Sequence, residues 1–251
     1  MAQRIERIKA CLNGKRDPAE HRAVPVTASE LAAAAQACVA VGAEAVHMHP
    51  RDTQGQQSLQ AADVGAAVAA VRAACPGTPI GVTTGLWVTG NSQSRQNEVA
   101  GWAGLDDEQR PDFASVNVCE PGWQQLVDTL SASGIQSEAG VWTVDDVALL
   151  GGYEPEDGWL RIMVEVMNVS PAEATRFADE ILDELSQADV SAPILLHGEA
   201  DGCWPLIAHA GRLGLPTRIG LEDVLAGPNG QPVADNAELV QLAVQMLGAT
   251  T

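Results

Sequence analysis

The chain has 251 residues, with 33 acidic against 14 basic side chains and a net charge of −19. A surface this acidic repels nucleic-acid phosphates and anionic membranes, and it requires local positive charge wherever an anionic ligand binds. An apolar content of 46% rules out a disordered chain and supplies a sizeable core, while no run reaches the roughly 18 apolar residues of a membrane span.

Short apolar runs alternate with longer helical patterns along the chain. The opening MAQRIERIKACLNG has no apolar signal-peptide stretch. A first strand at 8–12 leads into Asn13-Gly14-Lys15-Arg16, which has one glycine and then charges rather than a dinucleotide-binding GxGxxG. Thr27 and Glu30 form a capping-box signature before an alanine-rich helix over 29–41, and Gly42 stands where that helix should stop. A strand at 45–49, a helix at 61–74 and a strand at 80–84 follow. The segment 87–111, with Asn91, Arg95 and Asn97, has no clear periodicity and is expected to be a long loop covering the substrate. Next come a strand at 113–118, a helix at 123–133 stopped by Gly134, a strand at 135–138 ending on Glu138, and a short helix at 144–150. A strand at 160–166 precedes Ser170-Pro171, a cap residue before proline at the first position of a helix over 171–186. The chain closes with strands at 194–197 and 217–220 and helices at 204–213 and 236–247.

Eight strands at this spacing predict one (β/α)8 TIM-barrel domain over 1–251. The rival, a doubly wound sheet, would ordinarily carry a glycine-rich phosphate loop, and neither GxGxxG nor GxxxxGK[ST] is present. Cys11, Cys38, Cys75, Cys119 and Cys203 are odd in number and widely spaced, a pattern expected of reduced thiols in a cytoplasmic protein.

In a barrel, chemistry gathers at the C-terminal strand ends. His47 and His49, two apart, point to one face of an extended strand and suit a shared metal; the plain alternative is a hydrogen-bonded pair at the rim. Glu222 can complete a His2Glu zinc set with an open position, or simply pair with Arg218. His197, followed by Glu199 and Asp201, is the rival ligand, whereas His21 and His209 look peripheral. Asp223 either accepts a proton or fixes Arg218. The hydroxyls of Thr83 and Thr84 can hold a carboxylate or oxyanion, although threonine also simply favours strands. Asn117 can donate to a substrate carbonyl, and Glu120 lies in the loop beyond it. Arg51, with Arg218 and Lys15 or Arg16, is expected to create a positive field for anionic substrates. Trp87 can line a pocket or pack in the core.

The segments VPVTASELAAAAQACVAVGAEAVHMHPRD, GVTTG, ASVNV and RIGLED followed by NAELV, in that order, resemble the β-keto acid cleavage enzyme family. The resemblance implies a zinc enzyme that condenses a β-keto acid with acetyl-CoA and releases acetoacetate and a new acyl-CoA. It implies zinc ligation by His47, His49 and Glu222, an active arginine and base at Arg218 and Asp223, and substrate contacts at Thr83 or Thr84 and Asn117. It also implies small-molecule partners; the acidic surface argues against nucleic acid and membrane, and a homo-oligomer is expected because such barrels often associate. A zinc-dependent hydrolase or a metal-dependent aldolase acting on a small keto acid could use the same constellation. The chain departs from many relatives after its first strand, where a basic residue stands at the glutamate position. Cys119-Glu120-Pro121 and Met167-Asn168 replace the glycine-rich endings common after the fourth and sixth strands.

Overall fold

A computed structural model of the protein describes residues 5–188 and 190–249. Eight strands, β1 (Ile8–Cys11), β2 (Ala45–Met48), β3 (Ile80–Thr83), β4 (Phe113–Asn117), β5 (Gln136–Val141), β6 (Arg161–Val166), β7 (Ile194–Gly198) and β8 (Thr217–Ile219), form one parallel sheet. The first four are separated by α1 (Ala28–Ala40), α2 (Ala61–Ala74) and α3 (Ser92–Ala100). The remainder alternate with α4 (Trp123–Ala132), α5 (Val144–Leu150), α6 (Pro171–Gln187), α7 (Cys203–Leu213) and α8 (Asn236–Ala249). The sheet runs β7-β6-β5-β4-β3-β2-β1-β8. Its two edges come together where the Leu196 N–H donates to the Pro216 carbonyl at 3.0 Å and the Ala200 N–H to the Asp223 carbonyl at 2.8 Å. The fold is a (β/α)8 barrel, as the element spacing predicts.

Local signals act as expected at several helix ends. Thr27 accepts from the Glu30 N–H at 3.2 Å while Glu30 accepts from the Thr27 N–H at 2.8 Å, so both halves of the capping box form. Gly134 adopts φ +71° just beyond α4, where a side chain would be strained.

Period-two alternation divides each strand between two cores. Ile8, Ala10, Val46, Val82, Val116, Ile162 and Val164 belong to the large apolar layer between barrel and helices. The intervening side chains point into the barrel, where Ala45, Phe113, Met163 and Leu195 form a small apolar floor with Ile5 and Leu160. Charges are set into this floor. Lys9 Nζ lies 2.5 Å from Glu138 Oε2, and Arg161 Nη1 lies 2.7 Å from Glu138 Oε1.

Two expectations need correction here. Strand β5 does not end at Glu138 but runs on to Val141, pairing Gly140 with Asn117, so Glu138 lies in the barrel floor rather than at the rim. The segment 87–111 is not a structureless loop either. It holds a 3-10 turn, helix α3 and a second 3-10 turn. Helix α3 buries only Arg95 and Val99, too little for an apolar stripe to show in the sequence. Its start is capped by Asn91, which accepts from the Ser94 N–H at 2.8 Å, and Arg95 ties it to Glu120 and the Pro121 carbonyl.

Candidate metal centre and active site

A cavity of about 330 Å³ opens at the C-terminal end of the barrel, floored by Met163, Arg218 and Asp223 and walled by His47, His49, Thr83, Ser115, Asn117, Glu165 and Glu222. His47 faces it from β2, and His49 follows one turn of the pleat later. The backbone of His49 is held by Asn13, whose side chain accepts from the His49 N–H at 2.9 Å and donates to its carbonyl at 2.9 Å. Loop 13–16 is pressed against the same centre. At Gly14, with φ +53°, an added Cβ would fall 2.5 Å from Glu222 Cγ, so only glycine permits this approach.

The hydrogen bonds determine the tautomer of His49. Trp87 Nε1, which can only donate, meets Gln57 Oε1 at 3.2 Å, so that atom is an acceptor. His49 Nδ1, 2.7 Å from the same oxygen, must then carry a proton, so Nε2, which faces Glu222, is the ring atom available to a cation. His49 Nε2 and His47 Nε2 stand 3.6 Å and 3.9 Å from the two Glu222 carboxylate oxygens. These are long for hydrogen bonds. Two donors each about 2.1 Å from one tetrahedral centre lie roughly 3.4 Å apart, so the gap matches a cation. Ligand atoms of all three residues lie within 4.8 Å of one another, and Glu222 Oε2, although buried, has no hydrogen-bond partner among the described residues. The residues fit a metal ion.

Electrostatics prepare the set. Burial would raise the Glu222 carboxyl, but Arg218, His49 and His47 outweigh it and hold the group well below the usual carboxylate range. Burial also pushes His47 down to about 3, so its imidazole is neutral and able to ligate at ordinary pH. This has a testable sign. An unfolded imidazole takes a proton near pH 6.5, so the unfolded state binds more protons below that value and stability falls as pH drops toward the depressed native pKa. The thermal midpoint of metal-free protein should therefore fall more steeply from pH 6.5 to 4 than that of metal-free His47→Asn. Equal slopes would refute the assignment.

Arg218 sits between the two carboxylates. Its Nη2 is 3.0 Å from Glu222 Oε1 and 2.7 Å from Asp223 Oδ1, and its Nε also reaches Asp223 Oδ1 at 3.1 Å. The pairing with Arg218 read as one alternative in the sequence is thus present through Glu222 Oε1, and it leaves Oε2 able to face a cation. Asp223 Oδ2 is buried beside the cavity and has no hydrogen-bond partner among the described residues. Burial raises the Asp223 carboxyl despite Arg218 and His197, which makes it a better proton acceptor than an ordinary aspartate. His197 lies behind this group, with Nε2 3.5 Å from Glu165 and Nδ1 3.9 Å from Asp223, and it is not part of the His–His–Glu set.

The other expected contacts divide. Thr83 and Asn117 line the cavity. Thr84 does not; its hydroxyl donates to the Ser115 carbonyl at 2.5 Å. Arg51 is also set back, its guanidinium spent on the carbonyls of Gly14, Arg16 and Gly55, so it shapes the loop that carries Lys15 instead of meeting a ligand. His21 bonds the Val233 carbonyl, and His209 pairs with Asp179, both away from the centre. Sequence reasoning missed Gln57 and Ser115. Ser115 stands opposite Thr83 in the β3–β4 register and could have been found by carrying the period of two back from Asn117.

All five cysteines are free, and no helix among the described residues is long and apolar enough to cross a membrane. No curated protein sequence matches the chain. Among solved structures, ObcA in binary complex with oxaloacetate aligns at 17% identity and TM-score 0.67, covering 90% of this chain and 64% of that one. ObcA in ternary complex with a C4-CoA adduct and oxalate aligns at 17% and 0.64, with the same coverage. The 3-dehydroquinate dehydratase of Geobacillus kaustophilus HTA426 aligns at 11% and 0.62, covering 98% and 91%. At these identities the likeness is one of fold, and the chain spans a little under two thirds of the ObcA length. The sequence profile described as beta-keto acid cleavage enzyme matches residues 7–250. With the His–His–Glu centre inside its barrel, the chain belongs to the β-keto acid cleavage enzyme family.

Proposed function

We propose that the protein exchanges acyl groups between a β-keto acid and acetyl-CoA, yielding acetoacetate and a new acyl-CoA. The observation that carries this reading is the unpartnered Oδ2 of Asp223 beside the His47, His49 and Glu222 set in one cavity. That ObcA binds a CoA adduct on the same fold supports it. A divalent ion, zinc for this His2Glu donor set, would act as a Lewis acid toward the keto and carboxylate oxygens and make the carbon between them acidic.

The chain's own groups do the rest. Thr83 and Ser115 present hydroxyls to the substrate carboxylate. Asp223 Oδ2 takes a proton from the carbon between the carbonyls, and Arg218, whose Nη1 faces only Met163 Sδ at 3.6 Å, donates to the oxygen where negative charge grows. The carbanion attacks the thioester and CoA thiolate leaves. The thiolate then attacks the original ketone, that carbon–carbon bond breaks, and the departing acetoacetate carbanion recovers the proton from Asp223.

The test is to follow β-keto acid consumption by metal-loaded protein with and without acetyl-CoA. Turnover should require acetyl-CoA and yield acetoacetate; equal turnover without it would replace this reading with a hydrolase or aldolase. Asp223→Asn should lower kcat by about 10²–10⁴-fold with metal content unchanged. Wild-type kcat in that variant would remove Asp223 from the chemistry.

A further inference from the structure

The positive charges around the cavity other than that of Lys15 are compensated. Arg218 is shared by Glu222 and Asp223, and Arg16 pairs with Glu20 at 3.0 Å. Lys15 is the exception. It lines the same cavity, yet among the described residues it has no carboxylate within 4.0 Å, in a molecule carrying 33 acidic groups. Its ammonium rests 3.7 Å from the centroid of the Trp87 ring. Trp87 in turn stacks on His49, with ring centroids 6.2 Å apart and planes at 21°. One aromatic surface therefore links a proposed metal ligand to a free positive charge at the cavity mouth.

The lysine is also mounted rigidly. Arg51 Nη2 bonds the carbonyls on either side of it, Gly14 at 3.1 Å and Arg16 at 2.7 Å. A surface lysine normally keeps its rotamer freedom. Here the backbone is fixed on both flanks, and a cation–π contact holds the side chain over the mouth.

We propose that Lys15 receives a second anionic group on a ligand whose other end is anchored at the His47, His49 and Glu222 centre. This rests on reading the cavity as a β-keto acid site. The shared chemistry is an anion distant from the reacting carbons, and it has two sources: a distal carboxylate, which makes the substrate a β-keto dicarboxylate, or the phosphates of CoA. The carboxylates of Glu165 and Glu199 on the remaining wall repel an anion placed there, which leaves the Lys15 side as the favourable one.

Two six-carbon substrates, 3-oxohexanedioate and 3-oxohexanoate, differ only in the distal carboxylate. If that carboxylate is the anion, Lys15→Met raises KM for the dicarboxylate about tenfold with kcat unchanged and leaves KM for the monocarboxylate and for acetyl-CoA as in wild type. If the CoA phosphates are the anion, KM for acetyl-CoA rises with either keto acid, while KM for acetyl-pantetheine does not. In both cases Lys15→Arg restores the wild-type value, which a merely structural role would not require. Calorimetry of the metal-loaded protein with hexanedioate and with CoA gives the same comparison without turnover. A protein that cleaves no β-keto acid but loses one of these affinities in Lys15→Met would refute the activity and retain the anion site. KM and dissociation constants all within twofold of wild type in Lys15→Met would overturn the proposal.

Discussion

Replacing either His47 or His49 with alanine should leave a folded barrel that no longer retains a divalent metal and has lost nearly all turnover. Both imidazoles are buried and offer Nε2 to the same Glu222 carboxylate. Removing partners that only orient a ligand already costs about 10–100-fold in affinity or activity, so loss of a ligand should cost at least the upper end of that range. The two variants should differ in a second respect. His49→Ala also removes one of the two donors to Gln57 Oε1 and uncovers one face of Trp87, whereas His47 Nδ1 has no hydrogen-bond partner among the described residues to lose. His49→Ala should therefore loosen the Trp87 environment, visible in tryptophan fluorescence, while His47→Ala should not. Glu222→Gln should weaken metal retention more mildly, since an amide oxygen can still coordinate but carries no charge. Elemental analysis after dialysis, paired with circular dichroism, decides the matter. Full metal content in folded His47→Ala would exclude this centre.

The largest effect on stability is expected at Glu138. Its carboxylate lies in the barrel floor between Lys9 and Arg161, with Glu138 and Lys9 fully buried and Arg161 nearly so. Burial pushes this carboxyl up, but Lys9 and Arg161 more than reverse the shift and hold it far below the ordinary glutamate range. Glu138→Ala leaves the Lys9 ammonium desolvated without its carboxylate and takes one ion-pair partner from Arg161, which should cost about 3–5 kcal/mol. For a domain of this size that is a fall in thermal midpoint of roughly 10 °C. Glu138→Leu combined with Lys9→Met should be less harmful than Glu138→Ala alone, because exchanging a buried ion pair for apolar side chains is often neutral, whereas removing one partner strands the other. The pH dependence follows from the depressed pKa. The contribution of Glu138 is complete above the unfolded value near 4.3 and is lost as pH falls toward its native value. A midpoint for Glu138→Ala within 2 °C of wild type would show that the floor charges are solvated and the buried ion group is not structural.

Much of the site could be read from local spacing. A period of two places His47 and His49 on one face, and Arg218-Ile219-Gly220-Leu221-Glu222-Asp223 gathers three charged groups at a strand end whichever way the barrel closes. The capping box at Thr27 and Glu30 and the stop at Gly134 depend on contacts within one turn, so they too were visible in the residues. Glu138 was misplaced because Ala139, Gly140 and Val141 show no ending signal of their own; pairing with Asn117 carries the strand onward. Helix α3 was missed because its burial rests on an ion pair between Arg95 and Glu120 instead of an apolar stripe. By itself the sequence determined the barrel, the two histidines on one strand face and the charged end of β8. Only the tertiary structure decided that Glu222 shares Oε1 between Arg218 and the His49 side while Oε2 faces His47, that Gln57 accepts from Nδ1 of His49, and that Lys15 lies over Trp87 with no carboxylate beside it among the described residues. The physical reason is range. Strand and helix patterns follow from neighbours a few residues apart, whereas charge pairing and hydrogen-bond direction depend on groups brought together from distant strands and loops.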